Sequence, residues 1–234
     1  MKNPNGLNRG IRKVLLDGNP LPNNLIPLAE ASEKFGRYPL KDSDLILDLG
    51  AGGCNLASYV QKNFRVRVCA LDRCLEYLIG GKAFMDYFQV DSNRFCRVCA
   101  SALNLPFVDE SFDHVIGSAI LHHFEYPSQA LKEVRRVLKS GGYGIFSMEL
   151  VSPYFRKPDT SHDDHPKTPE QWRYEVDESR LKMVYLGLPE DSFTWIRNKF
   201  GFCPEWRSVL TLLNLYLRTF RSNPYGYVIV VQKK

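Results

Sequence analysis

LILDLGAGGCN, residues 45–55, is the stretch of sequence that decides the fold. Its first half, Leu45 to Leu49, is a run of branched apolar residues, which is typical of a buried parallel strand. The glycines that follow Asp48 allow a tight turn and let backbone N–H groups approach a ligand closely. A helix is predicted to begin near Asn55, and a helix N-terminus favours polar or negative groups. The stretch therefore predicts a strand, turn and helix that bind a nucleotide-type cofactor.

The size and composition fit one α/β domain with additions. The chain has 234 residues and is 44% hydrophobic and 24% charged, which is ordinary for a soluble globular protein with a sizeable core. The net charge of +5 permits an RNA or acidic-lipid partner without arguing for either. No apolar leader or run of about 18 apolar residues occurs, so we predict a cytoplasmic protein without a membrane span. The six cysteines predict reduced thiols, because Cys96 and Cys99 form only a lone C-x-x-C pair.

The rest of the chain alternates strands with helices, which predicts a parallel sheet with right-handed crossovers. Residues 1–42 are predicted to form a helical cap, with amphipathic helices within 6–37, ahead of a main domain over 43–234. The predicted strands are 45–49, 66–71, 95–100, 112–118, 143–148 and 225–231. The predicted helices are 54–63, 74–88, a helix from Pro127 to a stop at Gly141, and 191–200, whereas 206–217 fits strand or helix. Residues 150–187 are polar, aromatic and rich in proline, and they predict an irregular insertion or lid on the substrate side.

An acid at the end of the second strand narrows the cofactor class. Asp72 follows Gly52 by 20 residues, where a carboxylate can accept hydrogen bonds from ribose hydroxyls. Capping of the next helix is the alternative role for this residue. Dinucleotides and S-adenosylmethionine both fit such a site. A dinucleotide motif ends in glycine or alanine where this chain has Asn55, so S-adenosylmethionine is favoured.

Four motifs in unbroken order resemble one family. They are DLGAG at 48–52, ASALNLPFVDESFD at 100–113, ILHHF at 120–124 and EVRRVLKSGG at 133–142. Together they are similar to class I S-adenosylmethionine-dependent methyltransferases of the "type 11" subgroup, over about residues 43–150. The resemblance implies a Rossmann-like fold with a mostly parallel seven-stranded sheet and helices on both faces. It also implies S-adenosylmethionine as cofactor and S-adenosylhomocysteine as product.

The resemblance also implies roles for individual residues. The loop residues Gly50, Ala51 and Gly52 would line the methionine moiety, and Asp48 would orient the loop and hold the ammonium group. Asp72 would bind the ribose and Arg73 would flank the adenine. The adenine edge would meet Ser101 and Ala102, and Ser118 would contact the methionine part through its backbone. Two residues depart from the family pattern: Cys54 replaces a glycine, and Ser101 replaces a frequent aspartate.

The candidate proton acceptors lie in the loops after the fourth and fifth strands. His123 is the first choice, because that loop faces the transferred methyl group in similar enzymes. The other candidates are His122, Glu149 and, in the insertion, His162 and His165. A turn-capping role is an equal alternative for either histidine. The pair His162 and His165 flanks two acids, but a solvated loop is favoured and no metal site is predicted. Five aromatic residues could build an acceptor pocket or ordinary core: Trp172, Tyr174, Tyr185, Phe193 and Trp195.

The sequence therefore predicts a methyltransferase that acts on an oxygen, nitrogen or carbon atom of a small molecule, with sugars and secondary metabolites favoured. The loop Ser118-Ala119-Ile120 lacks the Asn/Asp-Pro-Pro-aromatic pattern associated with methylation of adenine or glutamine amino groups. Methylation of RNA, particularly tRNA, is the alternative enzyme function. A non-catalytic scaffold that binds the cofactor and activates a partner is the non-enzyme alternative, suggested by Ser101 and Cys54. A nicotinamide enzyme is the least favoured of the four.

Overall fold

The structure is a computed structural model that describes residues 40–149, 164–187 and 227–234. Within these ranges the chain forms seven strands, five α-helices and two short 3-10 turns, Ser92–Arg94 and Leu121–His123. The strands are β1 (Leu45–Leu49), β2 (Arg67–Asp72), β3 (Phe95–Cys99), β4 (Phe112–Ser118), β5 (Leu138–Glu149), β6 (Lys182–Gly187) and β7 (Tyr227–Gln232). The helices are α1 (Asn55–Phe64), α2 (Leu75–Gly80), α3 (Lys82–Phe88), α4 (Pro127–Val137) and α5 (Pro169–Glu178).

The strands form one sheet in the order β3-β2-β1-β4-β5-β7-β6. Strands β1 to β5 pair in parallel, whereas β7 runs antiparallel to both of its neighbours. The chain order reverses between β1 and β4, which lie side by side with Leu47 opposite Val115. In doubly wound sheets ligands bind beyond the carboxyl ends of the strands at such a reversal. The predicted Rossmann-like sheet is confirmed, and it places the glycine turn at this point.

Apolar side chains cover both faces of the sheet. One core packs α4 and α5 against the sheet and includes Leu47, Phe146 and Trp172, which are fully buried. The other core packs α1 against the opposite face through Leu56, Ala57 and Val60. The five described cysteines are free thiols. Among the described residues, no helix has the length and apolar character that crossing a membrane requires.

The helix predicted over 74–88 is wrong as one element, because the chain breaks it into α2 and α3 at Gly81. A Cβ atom on Gly81 would lie 2.8 Å from the carbonyl oxygen of Gly53 and 2.9 Å from Sγ of Cys54. The glycine therefore lets this helix boundary approach the cofactor loop. The sequence pattern does not predict this contact, since Gly81 is distant in sequence from Gly53 and Cys54.

The helix that begins at Pro127 also ends earlier than predicted. It stops at Val137, and β5 begins at Leu138, so the strand starts before the glycine pair rather than after it. Gly141 has a φ of 78°, and a Cβ on Gly142 would lie 2.6 Å from the carbonyl oxygen of Asp113. The glycines thus shape an irregularity within β5 against β4 rather than a helix end.

The prediction of an irregular insertion over 150–187 is wrong for residues 164–187, which include α5 and β6. Thr168 and Gln171 make reciprocal bonds between side chain and backbone that cap α5. Trp172 on this helix is fully buried, so the segment belongs to the packed core. Several predictions lie outside the described residues: the helices within 6–37 and over 191–200, the strand or helix over 206–217, residues 150–163, and Cys203, Phe193 and Trp195.

Candidate cofactor and acceptor site

The glycine turn is tied to the end of β2 by its own backbone. The N–H groups of Gly50 and Ala51 both donate to the carbonyl oxygen of Leu71, each at 2.9 Å. The N–H of Gly52 donates to Oδ2 of Asp72 at 2.8 Å, and Oδ1 of Asp72 accepts the N–H of Cys74, also at 2.8 Å. Asp72 thus fixes the turn in place while each oxygen keeps a further lone pair for another donor. The three N–H groups of the turn are used internally, so the turn would meet a ligand with its Cα and carbonyl groups.

Gly50 and Gly52 both have positive φ values, 71° and 49°, but their surroundings differ. A Cβ on Gly50 would lie 2.5 Å from Cδ1 of Ile120, in the loop after β4. A Cβ on Gly52 would meet no atom within 4 Å. Gly50 therefore serves close packing of the two loops, whereas Gly52 faces open space where a ligand could lie.

Alanine substitutions should separate these two roles. A left-handed conformation costs a residue with a Cβ about 1–2 kcal/mol, so both variants lose some stability. Gly50→Ala should lose about 1–3 kcal/mol more, because Ile120 must move. Gly52→Ala should instead weaken S-adenosylmethionine binding at least tenfold with a small loss of stability. Denaturant unfolding and calorimetric titration of both variants test this, and equal stability losses with unchanged binding in Gly52→Ala would contradict it.

Asp48 is a buried carboxylate at the end of β1. It is 1% exposed, and Oδ2 accepts the N–H of Ala57 in the first turn of α1 at 3.0 Å. Burial raises the pKa of Asp48 from 3.8 to about 7, the Ala57 hydrogen bond lowers it, and the charge of Asp72 raises it further. Among the described residues no cationic side chain pairs with it. The positive charge of a bound ammonium group would pair with this carboxylate.

Two further polar groups at the turn lack a partner. Oγ of Ser118, at the end of β4, and Oδ1 of Asn55, at the start of α1, are buried without a hydrogen bond among the described residues. Buried polar groups are normally hydrogen-bonded, so a ligand is the natural partner for both. The sequence predicted a backbone role for Ser118 and missed Asn55. Its position at the first residue of the helix after a glycine turn is the signal that could have revealed it.

The residues expected at the adenine end lie at the next two strand ends. Arg73 is exposed just after β2, and Ser101 is exposed after β3. Oγ of Ser101 accepts the N–H of Leu103 at 3.2 Å, so its hydroxyl is already part of a turn. Ala102 is 8% exposed and packs into the core. The structure therefore brings these positions to the same edge of the sheet as Asp72.

Cys54, the departure from the glycine pattern, occupies the position before α1 in a left-handed conformation with a φ of 59°. Its side chain is fully buried, and burial raises the pKa of the thiol to about 12, with Asp48 contributing. A thiol in this state is not a reactive nucleophile. Cys54 therefore fills space beneath the turn at the cost of a strained backbone.

The loop after β4 carries the two predicted histidines. His123 is 45% exposed in its side chain, and its Nδ1 lies 3.0 Å from Oδ1 of Asp164. His122 is 4% exposed, and its Nε2 lies 3.8 Å from the same oxygen. Of these two histidines, only His123 has a side chain that is open to solvent. Glu149 ends β5 opposite Tyr227, and its side chain lies outside the described residues, as does His162.

The segment before α5 holds this loop in place. The N–H of His165 donates to the carbonyl oxygen of His122 at 2.7 Å. Nζ of Lys167 donates to the carbonyl oxygen of Glu125 at 2.8 Å. Glu175, which is 8% exposed, accepts the N–H of Ser128 in the first turn of α4. Of the predicted aromatic pocket, Trp172 is core and Tyr174 is 63% exposed, so these two do not share one pocket.

The fold and the site define a class: a doubly wound α/β domain with an adenosine-type cofactor site at the reversal of its sheet. Comparison with known proteins is more specific. Residues 47–146 match a family described as "Methyltransferase domain". Residues 47–146 are thus similar to a methyltransferase domain, as the sequence indicated, and this similarity supports S-adenosylmethionine as the cofactor. Asp48, Asp72 and the open space at Gly52 fit a cofactor with an ammonium group and a ribose.

Two curated relatives and one solved structure illustrate the similarity. The chain is 33% identical over 127 residues to the human protein named "Probable tRNA methyltransferase 9B", covering 51% of this chain and 25% of that protein. It is 34% identical over 116 residues to malonyl-[acyl-carrier protein] O-methyltransferase of Marinomonas sp., covering 47% and 39%. The chain thus spans well under half the length of these relatives. A chain in the complex between the Haloferax volcanii Trm112 methyltransferase activator and a methyltransferase shares the fold, with a TM-score of 0.64, 18% identity and coverage of 99% and 97%.

Proposed function

We propose that the protein transfers a methyl group from S-adenosylmethionine to an acceptor bound at the carboxyl ends of β4 and β5. The observation that carries this proposal is the buried Asp48 carboxylate beside the turn held by Asp72. Leaving an acid buried without a cation is costly, and a site for a cationic cofactor explains why the chain retains it. S-adenosylmethionine supplies a methyl group attached to a positively charged sulfur atom.

The residues of the chain perform the binding and orienting parts of this reaction. Asp48 neutralises an ammonium group, and Asp72 accepts hydrogen bonds from ribose hydroxyls with its remaining lone pairs. Oγ of Ser118 and Oδ1 of Asn55 are placed to bond the polar end of the methionine moiety. Fixing the cofactor in this way converts the encounter with an acceptor into an oriented reaction within one complex.

Two acceptor classes are each supported by a different observation. A small molecule with an oxygen, nitrogen or carbon nucleophile is the acceptor predicted from the sequence, and similarity to the malonyl-[acyl-carrier protein] enzyme supports it. RNA is the second candidate, because other relatives carry the name tRNA methyltransferase and the chain has 31 basic against 26 acidic residues. RNA binding would weaken steeply with rising salt, since phosphate contacts release counterions.

Transfer of radioactive methyl groups tests the proposal and separates the acceptors. The chain is incubated with methyl-labelled S-adenosylmethionine and either unmodified bulk tRNA or a cell extract of small molecules. Label that enters one fraction identifies the acceptor class, and Asp72→Ala should abolish it in that fraction. Absence of transfer into either fraction, despite tight cofactor binding, would contradict catalysis by the isolated chain and favour the non-catalytic scaffold.

His123→Ala should reduce turnover with little change in cofactor binding. His123 is the residue that the sequence predicts to face the acceptor, and that role stays a prediction, as do those of Glu149 and His122. Its half-exposed side chain makes a folding defect small, since surface changes usually alter stability by about 0.5 kcal/mol or less. We expect turnover to fall about 100-fold or more, in the range of lost general acid–base assistance. Unchanged turnover would exclude His123 from the reaction.

A protein partner is a further proposal for the same function. The solved neighbour from Haloferax volcanii is a complex with a methyltransferase activator. In the part of the chain that the structure describes, β3 is an edge strand on which Cys96, Arg97 and Cys99 are exposed. An exposed edge offers unpaired backbone groups to a strand of another protein. A large rise in turnover on adding such an activator would support this partner.

The cytoplasmic location stays a prediction, as does the role of residues 150–187 on the substrate side.

A further inference from the structure

Three side chains from two distant segments converge beside the acceptor end of the sheet. His122 and His123 lie in the turn after β4, and Asp164 lies just before α5. Nδ1 of His123 is 3.0 Å and Nε2 of His122 is 3.8 Å from Oδ1 of Asp164. One ligand atom from each residue lies within 4.8 Å of the others.

The carboxylate oxygen at the centre of this group is not satisfied by hydrogen bonds. Oδ1 of Asp164 is buried and has no hydrogen-bond partner among the described residues. The Nδ1 atom of His123 is therefore at contact distance without the alignment that a hydrogen bond needs. A buried carboxylate oxygen without a donor is unfavourable, and a cation placed between it and the two imidazoles would remove that cost.

The spacing of the three atoms suits a metal ion. A zinc-type ion lies about 2.0–2.2 Å from nitrogen and oxygen ligands, so ligand atoms bound to one ion are about 3–4 Å apart. The two nitrogen–oxygen separations, 3.8 and 3.0 Å, fall in this range, and all three ligand atoms lie within 4.8 Å of one another. Two imidazoles and one carboxylate, with positions left open, form a recurring set for divalent transition metals. We infer that His122, His123 and Asp164 bind a divalent transition-metal ion of the zinc type.

The backbone already holds these ligands together. The N–H of His165, next to Asp164, donates to the carbonyl oxygen of His122 at 2.7 Å. Lys167 bonds the carbonyl oxygen of Glu125 in the same loop. Preorganisation of this kind lowers the conformational cost of binding an ion. The site therefore needs only small side-chain movements to close around a metal.

The consequence for catalysis rests on the proposed function. An imidazole that coordinates a metal through Nδ1 carries its proton on Nε2, so it has no lone pair for a substrate proton. A metal-bound His123 and a His123 acting as general base therefore exclude each other. The open positions of the ion would bind an acceptor through oxygen, as a hydroxyl, carboxylate or phosphate, and would polarise it. The acceptor class implied is thus an oxygen-bearing one.

Titration of the tag-free full chain with Co²⁺ tests the inference without any acceptor. Co²⁺ takes the place of Zn²⁺ in such sites and absorbs visible light when nitrogen ligands bind it. We expect one equivalent to bind with micromolar affinity and to be displaced by Zn²⁺, whereas Mg²⁺, which prefers oxygen ligands, does not compete. His123→Ala and Asp164→Asn should each weaken binding at least tenfold. Neither change removes a fully buried side chain, so both variants should fold.

His165→Ala is the matched control. It removes a histidine from the same segment but keeps the backbone hydrogen bond to His122, so Co²⁺ affinity should not change. Absence of saturable binding, equal weakening in His165→Ala, or competition by Mg²⁺ would each overturn the metal site. Binding of S-adenosylmethionine is measured in the same samples. If the wild-type chain does not bind S-adenosylmethionine, the proposed function is refuted. If it binds S-adenosylmethionine but not Co²⁺, only the metal site is refuted.

Discussion

Asp72→Ala is expected to weaken S-adenosylmethionine binding by about 100-fold or more. The carboxylate holds the N–H groups of Gly52 and Cys74 and is the proposed acceptor for the ribose hydroxyls. Hydrogen bonds to a charged group contribute about 1.5–3 kcal/mol each, so loss of one or two to the ribose already exceeds a tenfold effect. The variant also removes the hydrogen bond from the N–H of Gly52, while the N–H groups of Gly50 and Ala51 still hold the turn to the carbonyl oxygen of Leu71.

Two further variants make this result specific. Asp86→Ala removes an exposed acid that pairs with Lys82 on α3, and it should leave cofactor affinity unchanged. Asp72→Asn keeps the size of the side chain but directs an amide N–H towards a backbone N–H, so it should bind nearly as weakly as Asp72→Ala. Calorimetric titration measures all three. Wild-type affinity in Asp72→Ala would show that this residue only holds the N–H groups of Gly52 and Cys74.

Asp48→Asn is expected to make the protein more stable at neutral pH while weakening cofactor binding. Burial raises the pKa of Asp48 from 3.8 to about 7, so the folded protein holds this proton more tightly than the unfolded chain. The stabilisation that protonation gives is fully present below about pH 4 and is lost as the pH rises through about 7. Over that interval the loss is on the order of 4 kcal/mol, and asparagine does not titrate.

The comparison is made on the free energies of unfolding of the two proteins between pH 4 and pH 8. The free energy of unfolding of the variant minus that of the wild type should rise steadily through this interval and stay constant above it. Its affinity for S-adenosylmethionine should fall at least tenfold, because the ammonium group loses its charged partner. A difference in unfolding free energy that does not change with pH would contradict a carboxylate whose pKa is raised by burial.

Much of the site could be predicted because it depends on residues that are close in sequence. The run Leu45–Leu49 predicted β1 with the bounds observed, and Phe112–Ser118 did the same for β4. Asp48 and Asp72 were identified because each follows or ends an apolar run, and parallel strands bring such ends to one edge. The methyltransferase resemblance then came from the order of four motifs rather than from any one of them.

The rest depended on contacts that sequence patterns do not show. Gly81 lies against the carbonyl oxygen of Gly53 at the boundary between α2 and α3, and Gly142 in β5 lies against the carbonyl oxygen of Asp113. The prolines of residues 150–187 predict an irregular segment, whereas the capping pair Thr168 and Gln171 begins the helix α5 within it. Asp164 is far in sequence from His122 and His123, so only the folded chain reveals that the three converge.

Calorimetric titration of the wild-type chain with S-adenosylmethionine, S-adenosylhomocysteine and NAD tests the central claim most directly. A cofactor site built on Asp48, Gly52 and Asp72 predicts saturable binding of both sulfur compounds at one site per chain, with micromolar dissociation constants and no heat from NAD. Absence of binding by both sulfur compounds, or tighter binding of NAD than of either, would contradict the account.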